Sequence, residues 1–440
     1  MMKTIVAIST PIGAGGIGIV RISGKDALKI ADAVFFKKGQ GAGQILAENP
    51  LKMTFGTFVG NGFNDKGYAV YFPENKSFTG EDTVEFNLHG GVRIMKGAVE
   101  TILEKGAYPA EAGEFTKRAY LNGRMSLSDA EGVADMIHAE STAGIRAAYR
   151  MMQGGVAEKV NGIMDDLLTV LATLEASLDY PDEMEDEVMP VLDNTLPDIL
   201  ARVHALAKTF YMGRIAKHGV DVVIAGEPNV GKSSLLNALV GENRAIVTDI
   251  AGTTRDTVTA RAEVGGVLIN LTDTAGLRES EDVVETIGVE RARKAIEGAD
   301  VVLYVLDGTK ENEIEQFATN GKMYYVYNKC DSVGFKAPEG DNIFTISAKT
   351  GEGVEALAKA VASVYEEGTI DGDLITSQRH VSALKSAIVS IESAVSNKTD
   401  TIDCVLIDLR EAYNSLGEIT GATATEDIVD SIFSKFCVGK

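Results

Sequence analysis

The sequence is poor in the residues that build disulfide frameworks and metal centres. Its three cysteines, Cys330, Cys404 and Cys437, form no C-x-x-C pair, and their odd number argues against a disulfide framework. Its five histidines are scattered, with no metal-ligand spacing. No run is apolar enough to span a bilayer, and the first ten residues lack the long apolar core of a signal peptide. These absences favour a cytoplasmic protein with no membrane segment.

Positive charge is also scarce. Lys and Arg total 42 against 64 Asp and Glu, which gives a net charge of -22. This balance argues against a protein that coats nucleic acid by bulk electrostatics, although a local basic surface or a basic partner could still bring RNA to it. The length of 440 residues allows two or three domains, each with its own core.

Three regions differ in their hydrophobic pattern. Residues 1–120 contain short alternating runs such as TVEFNL, broken by glycine clusters, and this pattern predicts an α+β domain. Residues 121–218 and 367–440 have helical apolar spacing, so we expect them to pack together as one all-α domain. Residues 219–366 alternate apolar strands with helical segments, which predicts a mostly parallel sheet covered by helices. The expected fold is multidomain, with an α/β domain inserted into a helical domain.

Three local features of the helical regions give sharper expectations. Ser128 and Glu131, in SDAE, have the spacing of a capping box, which predicts Ser128 as the N-cap of a helix. The acidic segment DYPDEMEDE is expected to be a loop that interrupts the helices. Cys404 lies in the apolar run DCVLIDL and is therefore expected in a helical core.

The segment GEPNVGKS, from Gly226 to Ser233, fits the pattern G-x-x-x-x-G-K-[ST]. It follows the apolar run VDVVIA and precedes SSLLNALV, the strand and helix that this motif requires. Backbone N–H groups of the loop are expected to cradle phosphate oxygens. Lys232 is then expected to reach the β- and γ-phosphates, and the Ser233 hydroxyl to ligate Mg²⁺.

Three further motifs identify the nucleotide. In DTAG, Asp273 is expected to hold Mg²⁺ through water, and the Gly276 amide to sense the γ-phosphate. The aspartate of NKCD, Asp331, can accept two hydrogen bonds from guanine, whereas adenine offers no such donor pair. SAK supplies a backbone donor for the guanine oxygen, so the four motifs together predict a GTPase with a Ras-like P-loop G domain. The predicted nucleotide-binding residues are Asn229, Val230, Gly231, Lys232, Ser233, Ser234, Thr248, Asp249, Ile250, Ala251, Gly252, Thr253, Thr254, Asp273, Thr274, Ala275, Gly276, Asn328, Lys329, Asp331, Ser347, Ala348 and Lys349.

Two hydrolytic parts of Ras-like enzymes are missing. Leu277 stands where a glutamine orients the attacking water in those enzymes. Glu285 could orient or deprotonate a water instead, but spacing alone favours reading it as one of several solvated acids. No arginine finger is evident; a K⁺ that bridges the phosphates, with a side-chain oxygen from Asn229, would deliver the same charge. Thr254, in the loop TDIAGTTRD, is expected to be the second Mg²⁺ ligand.

These segments resemble the tRNA-modifying GTPase family known as MnmE or TrmE. The resemblance rests on the G-domain motifs with TDIAGTTRD and DTAGLRE, on GGIGIVRISG, SFTGEDTVE and GEFTKRAYLNGR in the N-terminal region, and on the tail FCVGK. It covers essentially the whole chain, in the family's domain order.

The resemblance implies a homodimer that works on tRNA with an FAD-containing partner, MnmG (GidA). Together they add a carboxymethylaminomethyl or aminomethyl group to the wobble uridine of certain tRNAs. GTP hydrolysis would drive a conformational cycle in which the two G domains of the homodimer meet, with K⁺ held by Asn229 and by the carbonyls of Thr248, Ile250 and Thr253. The resemblance also assigns water activation to Glu285, against the interpretation from spacing.

The N-terminal region of the family resembles folate-dependent one-carbon enzymes and binds a formyl-tetrahydrofolate. The resemblance places Arg21, Glu81 and Arg124 at the folate-contact positions, with Lys440 of the tail beside them. Arginine at 124 departs from the lysine often found there; it keeps the charge, and a guanidinium binds carboxylates bidentately.

Cys437, in the tail, would be needed for the modification. One alternative is a nucleophilic thiol near the one-carbon chemistry. The other is a structural cysteine, buried beside Phe433 and Phe436.

Gly13, Gly15 and Gly18 fit the dinucleotide pattern G-x-G-x-x-G. The following run, IVRIS, alternates like a strand and does not open a helix, so a Rossmann site is not expected. These glycines are expected to form a tight turn that lets the backbone approach a ligand or a neighbour.

Two other functions remain open on the sequence. One is a ribosome-assembly or regulatory GTPase that works as a switch without tRNA chemistry. The other is a folate enzyme with a regulatory GTPase attached. Folate binding together with tRNA-dependent product formation would separate them.

Overall fold

The structure, a computed structural model, describes residues 3–37, 46–242, 260–273, 293–312, 319–365, 373–397 and 402–440. The chain separates into two compact units. The first combines Met1–Ala134, Met151–Ile199 and Ser386–Lys440, and the second combines Asp135–Arg150 and Leu200–Lys385. The division into three domains, at residues 120, 218 and 366, stays a prediction.

The first unit is built on one sheet, and the predicted α+β character of the N-terminal region is confirmed. Its strands are β1 Ile5–Ile8, β2 Gly18–Ser23, β3 Phe35–Phe36, β4 Thr54–Gly60, β5 Phe63–Phe72, β6 Thr83–Leu88 and β7 Tyr108–Pro109. Their order in the sheet is β3-β4-β5-β6-β2-β1-β7, and every pair is antiparallel except β1 with β7. Phe58 and Phe86 point to the same buried face, with ring centroids 5.3 Å apart in an edge-on arrangement.

The helices alternate with the strands near the N-terminus, and from Glu114 to His218 helices follow one another with no strand assigned between them. They are α1 Ala27–Val34, α2 Val92–Glu104, α3 Glu114–Leu121, α4 Leu127–His138, α5 Thr142–Met152, α6 Gly155–Asp179, α7 Pro181–Pro190, α8 Leu196–Lys208, α9 Phe210–His218, α10 Lys232–Glu242, α11 Val354–Ala362, α12 Gln378–Ser396, α13 Ile402–Thr420 and α14 Glu426–Phe433. The two long helices α6 and α13 pack against each other in the first unit. None of the helices in the described part of the chain combines the length and the apolar character that crossing a bilayer requires.

The second unit contains the predicted mostly parallel sheet. Its strands are β8 Val220–Gly226, β9 Ala260–Val264, β10 Val267–Asp273, β11 Val301–Asp307, β12 Lys322–Asn328 and β13 Ile343–Thr345. Their order is β13-β12-β11-β8-β10-β9, with all pairs parallel except β9 with β10. The central strand β11 is buried along its whole length, as expected for a parallel strand covered on both faces. Parallel order brings the carboxyl ends of β8, β10, β11 and β12 to one edge of the sheet.

Two helix predictions require correction. Helix α4 begins at Leu127, so Ser128 lies inside it; the reciprocal cap is made by Ser126, whose Oγ accepts the Asp129 N–H, and by Asp129, whose carboxylate accepts the Ser126 N–H. The acidic segment is mostly helical and not a loop, because α7 begins at Pro181. Proline is well suited to the first helical position, and carboxylates near a helix N-terminus interact favourably with the helix dipole.

The prediction for Cys404 was also wrong. Its side chain is exposed near the start of α13, directly before Val405 and Leu406, the first buried residues of that helix. The apolar run therefore places its buried residues on one stripe and leaves the cysteine outside it.

Candidate functional site

The P-loop connects β8 to α10, and three residues of GEPNVGKS have a positive φ, the first being Gly226 with a φ of 139°. Asn229 and Gly231 have φ values of 66° and 102°. A Cβ atom at Gly231 would lie 2.3 Å from Nδ2 of Asn328, so this position needs glycine for space as well as for conformation. The Lys232 side chain is buried, and its Nζ donates to the carbonyl oxygens of Gly226 at 3.0 Å and Glu227 at 2.7 Å. The ammonium group is thus held over the loop at the N-terminus of α10, where phosphate binding is favoured.

Ser233 and Asp273, both predicted to serve Mg²⁺, lie in contact. The Ser233 hydroxyl donates to Oδ2 of Asp273 at 3.0 Å. Hydroxyl and carboxylate oxygens are the hard ligands that Mg²⁺ prefers. Across the described residues, no group of three or more His, Cys, Asp and Glu side chains could hold a metal ion. The pair therefore fits a Mg²⁺ that completes its coordination with phosphate oxygens and water, and not a cage built only of protein side chains.

The guanine-recognition motif is tied to the P-loop by Asn328, which is 3% exposed. Its Nδ2 donates to the Val230 carbonyl at 2.9 Å, and its Oδ1 accepts the N–H groups of Lys329 at 2.8 Å and Ala348 at 2.9 Å. One buried amide thus joins three of the predicted motifs. The Ala348 N–H is used by this asparagine, while the Asp331 carboxylate is exposed and available for a guanine edge.

Asp307 is a member of the site that the sequence analysis missed. It ends β11 and is 3% exposed, and its Oδ2 lies 2.6 Å from Nζ of Lys329. Burial raises the pKa of Asp307, but hydrogen bonds from Lys329 and Thr309 outweigh it, so that the pKa falls to about 2. The only sequence signal is an acid at the end of a fully apolar strand, the same position that Asp273 has on β10.

The switch loops lie outside the described residues. The residues concerned are Thr248, Asp249, Ile250, Ala251, Gly252, Thr253, Thr254, Thr274, Ala275, Gly276 and Glu285. Of the remaining predicted nucleotide-binding residues, Ser234 and Lys349 are exposed and Ser347 is fully buried, with its Oγ accepting the Thr350 N–H at 3.1 Å.

In the first unit, the predicted folate residue Arg21 joins the sheet to the tail. Its guanidinium forms a salt bridge to Glu85 on the neighbouring strand β6 at 2.8 Å, and Nη1 lies 3.5 Å from the carbonyl oxygen of Gly439. The guanidinium also lies over the Phe115 ring, 5.5 Å from its centroid. Arg124 uses Nη2 on the carbonyl oxygens of Glu74 at 3.0 Å and Ser77 at 3.4 Å.

The tail is an ordered segment of the first unit. Val438 forms a β-bridge with Ala112, and the N–H groups of Gly113 and Phe115 donate to the oxygens of Cys437 at 3.4 Å and Lys440 at 3.2 Å. A Cβ at Gly439, where φ is 99°, would lie 2.2 Å from the carbonyl oxygen of Ile8. The chain therefore passes too close to β1 for any residue but glycine.

Cys437 itself is exposed, whereas Phe433 and Phe436 are 2% and 6% exposed. The alternative of a buried structural cysteine packed beside these two rings was therefore wrong. The phenylalanines anchor the tail, and the thiol faces solvent.

The glycine-rich loop before β2 is followed by a strand and not by a helix, as the sequence analysis predicted. The run IVRIS is part of a strand, and a Cβ at Gly90 would lie 2.7 Å from the Gly15 carbonyl oxygen. A cavity of about 290 Å³ lies between this loop and the start of α2.

Known protein families match the sequence of this chain in both units. The family model "GTP-binding protein TrmE N-terminus" matches residues 4–124, and "MnmE helical domain" matches residues 127–437. Three curated relatives carry the name tRNA modification GTPase MnmE. The one from Carboxydothermus hydrogenoformans is 40% identical over 464 residues, 100% of each chain. Those from Alkaliphilus metalliredigens and Acetivibrio thermocellus are 39% and 38% identical, over 99% of each chain. A solved structure of Aquifex aeolicus Era bound to GDP·AlF4⁻ is 30% identical over 39% of this chain and 66% of that one, with a TM-score of 0.27.

Proposed function

Because the chain belongs to the MnmE family of tRNA modification GTPases, we propose that it hydrolyses GTP as one subunit of a complex that modifies the wobble uridine of certain tRNAs. The modification adds a carboxymethylaminomethyl or aminomethyl group and takes its one-carbon unit from a formyl-tetrahydrofolate. The relatives match along the whole chain and not only in the G domain, which does not favour a ribosome-assembly switch.

The observation that carries the GTPase proposal is the joining of the motifs by Asn328, Ser233 and Asp273. Lys232 binds the β- and γ-phosphates after it leaves the carbonyls of its own loop, and Asp331 reads the guanine edge. A Mg²⁺ held directly by Ser233, and by Asp273 through water, would neutralise charge that develops on the phosphate oxygens. Thr254 is the proposed second Mg²⁺ ligand.

Asn229 supports a role for a monovalent cation. It lies in the P-loop, its side chain is exposed, and its backbone has a positive φ. With the carbonyls of Thr248, Ile250 and Thr253 it would hold a K⁺, which supplies the charge of an arginine finger. Glu285 is the proposed residue that orients the attacking water.

The first unit supports the folate proposal through the tail. Arg21 contacts both Glu85 and the tail, and Glu81 lies beside the same strand, because it accepts the Ser23 hydroxyl. Folate would bind beside Arg21, Glu81 and Arg124, with Lys440 of the tail completing the proposed site. The exposed thiol of Cys437 would then lie close to the one-carbon chemistry.

A homodimer and a flavoprotein partner, MnmG, complete the proposal. The net charge of -22 makes it reasonable that much of the tRNA surface belongs to the partner. The chain would work in the cytoplasm, where tRNA and the partner are present.

The experiment that tests the GTPase mechanism is GTP turnover in KCl and in NaCl at equal ionic strength. We expect faster turnover in KCl, lost in both Asn229→Ala and Asn229→Gly. The glycine variant removes the side-chain oxygen without straining the positive φ, so a loss in both variants reports on the oxygen and not on the backbone. An exposed asparagine of β5, Asn64, provides the control Asn64→Ala. Equal turnover in the two salts would leave a GTPase and remove the K⁺ mechanism.

The tRNA chemistry needs its own test. Purified protein, MnmG, tRNA, GTP and formyl-tetrahydrofolate should give the modified uridine, detected by mass spectrometry of the digested tRNA. No product without folate, together with product in its presence, would support the one-carbon route. Product that is independent of folate would contradict it.

A further inference from the structure

Arg118 is a buried cation that the proposed function does not yet use. Its side chain is 5% exposed and lies on α3 in the first unit. Nε and Nη2 donate to Oε1 of Glu114, one helical turn earlier, at 3.2 and 2.6 Å. This carboxylate already neutralises the guanidinium, so a second acidic partner is not required for the stability of α3.

Arg118 nevertheless has a second partner, Glu81. Nη1 donates to Oε2 of Glu81 at 2.9 Å, and the Ser23 hydroxyl donates to the same oxygen at 3.0 Å. Ser23 is itself fully buried. Both donors reach one oxygen of the carboxylate, while the Glu81 side chain keeps 18% exposure. Within the described part of the chain, no hydrogen bond is assigned to the other oxygen, Oε1.

The loop that carries Glu81 is fixed from several sides. The Glu81 N–H donates to Oγ1 of Thr79 at 3.2 Å, and the Thr79 carbonyl accepts Nδ2 of Asn122 at 2.7 Å. Gly80 has a φ of 74°, and a Cβ there would lie 2.9 Å from Cβ of Asn122. The backbone and one oxygen of Glu81 are therefore held before any ligand arrives, which lowers the entropic cost of binding at the other oxygen.

The charges around Glu81 select the kind of group that it can bind. Arg118 contributes one positive charge and Glu81 with Glu114 two negative charges, so the cluster has a net charge of −1 and suits a hydrogen-bond donor better than an anion. One carboxylate oxygen with two lone pairs can accept two N–H groups that point in the same direction. The 2-amino-4-oxopyrimidine ring of a reduced pterin presents such a pair, from its ring N–H and its exocyclic amino group.

We propose that Arg118 and Ser23 are positioning residues that hold Oε2 of Glu81, so that Oε1 faces and accepts the aminopyrimidine N–H groups of the pterin. This inference rests on the proposed binding of a formyl-tetrahydrofolate. It adds to that site a pair of residues that fix the orientation of the Glu81 carboxylate.

The test is the affinity of the purified full-length protein for 5-formyl-tetrahydrofolate, measured by calorimetry in four proteins. These are the wild type, Arg118→Lys, Glu81→Gln and the double variant. Lysine keeps the charge but loses the fixed geometry of the guanidinium. We expect Arg118→Lys to bind about tenfold more weakly in the wild-type background and less than about twofold more weakly when Glu81 is already glutamine, because residues that act through one group are not additive.

Two further variants serve as a control and as a second test of the contacts to Oε2. Arg93→Lys, at an exposed arginine of α2, should bind like the wild type. Ser23→Ala removes the other donor to Oε2 and should reproduce the weaker binding, also only while Glu81 is present. Thermal unfolding of each variant shows that it is folded at the temperature of the binding measurement.

Each outcome either supports or overturns the positioning role of Arg118 and Ser23. An Arg118→Lys effect of equal size with and without Glu81 would show a purely structural role and overturn the inference, while folate binding itself stands. A wild-type protein that does not bind 5-formyl-tetrahydrofolate would overturn the folate part of the proposed function and this inference with it. Loss of the Arg118 and Ser23 effects in the Glu81→Gln background would support the positioning role.

Discussion

Two sites can be compared, the nucleotide site around the P-loop and the tail site, where Arg21 contacts Gly439. The contacts that hold them together span very different distances along the chain. Lys232 bonds to carbonyls five and six residues before it, and the amide of Asn328 reaches back 98 residues to Val230. In the tail site, Arg21 reaches Gly439 across 418 residues. The first site can therefore form within one sheet and its loops, whereas the second needs both ends of the chain to be folded and docked. Closing a longer loop costs more entropy, so the tail site is expected to be the easier one to open without damage elsewhere.

The largest expected effect is at Lys232. Lys232→Ala removes the ammonium that serves the phosphates, so GTP turnover should fall by about 10³-fold. Folate binding by the first unit should not change. Lys336→Ala, at an exposed lysine of the same unit, is the matched control. A Lys232→Ala protein that keeps more than a tenth of its turnover would contradict the role given to the P-loop.

Gly231→Ala should have the next largest effect, because it disrupts the contact between the P-loop and the NKCD motif. The added Cβ would lie 2.3 Å from Nδ2 of Asn328 and would also strain a φ of 102°. We expect nucleotide affinity to fall by about 30-fold, the equivalent of roughly 2 kcal/mol. Gly241, on α10, has open space around it. Gly241→Ala should leave affinity unchanged and raise helix stability by up to about 1 kcal/mol. Equal behaviour of the two variants would show that the close approach at Gly231 has no importance for binding.

The two sites also differ in how much of them could be predicted. Three short motifs, GEPNVGKS, DTAG and NKCD, placed Lys232, Ser233, Asp273 and Asn328 on the correct strands and loops, because each motif works mainly through local backbone geometry. Arg118 could not be recognised in the same way. Its importance lies in a contact with Glu81, 37 residues away, that exists only when the folded unit brings α3 next to the loop before β6.

The helices show the same limit on a smaller scale. The apolar period predicted that the acidic region lies between helices, but Pro181 opens α7 and continues the helical course. The period also could not fix which serine caps α4, because Ser126 and Ser128 each have an acid three residues on, Asp129 and Glu131, and only the hydrogen bonds show that the first pair forms the cap. Local signals indicate that a helix begins, and side-chain geometry decides at which residue.

Gly439→Ala tests whether the tail site can be opened alone. A side chain at this position would meet the Ile8 carbonyl oxygen at 2.2 Å, so the tail should leave β1. We expect folate affinity to fall by about tenfold, roughly 1.4 kcal/mol, with GTP turnover unchanged. Gly62→Ala distinguishes the effect of backbone strain from the effect of a steric clash. Gly62 also has a positive φ, of 77°, but a Cβ there would have nothing within 4 Å. A similar loss in both variants would show that the docking of the tail does not control the folate site.

The smallest expected effect concerns Asp307, which forms an ion pair with Lys329 of the NKCD motif. Its pKa is about 2 in the folded protein, below the ordinary value of 3.8, so ionisation of this carboxylate favours the folded state. The stability that it contributes is fully present above about pH 5 and is lost as the pH falls through the range between the two values. Asp307→Asn removes this contribution and should lower the stability of the second unit at pH 7 by about 1 kcal/mol.

Urea unfolding of the wild type and of Asp307→Asn, from about pH 7 down to about pH 3, measures this contribution directly. The difference between the two proteins should stay constant to about pH 5 and then shrink, because the wild-type carboxylate loses its advantage as it is protonated. Asp341→Asn, at an exposed acid of the same unit, should change stability little over the whole range. A difference between wild type and Asp307→Asn that does not shrink at low pH would show that Asp307 acts by shape and not by its ion pair with Lys329. The nucleotide site would then depend on packing as strongly as the tail site does, and the contrast between the two would be one of distance along the chain alone.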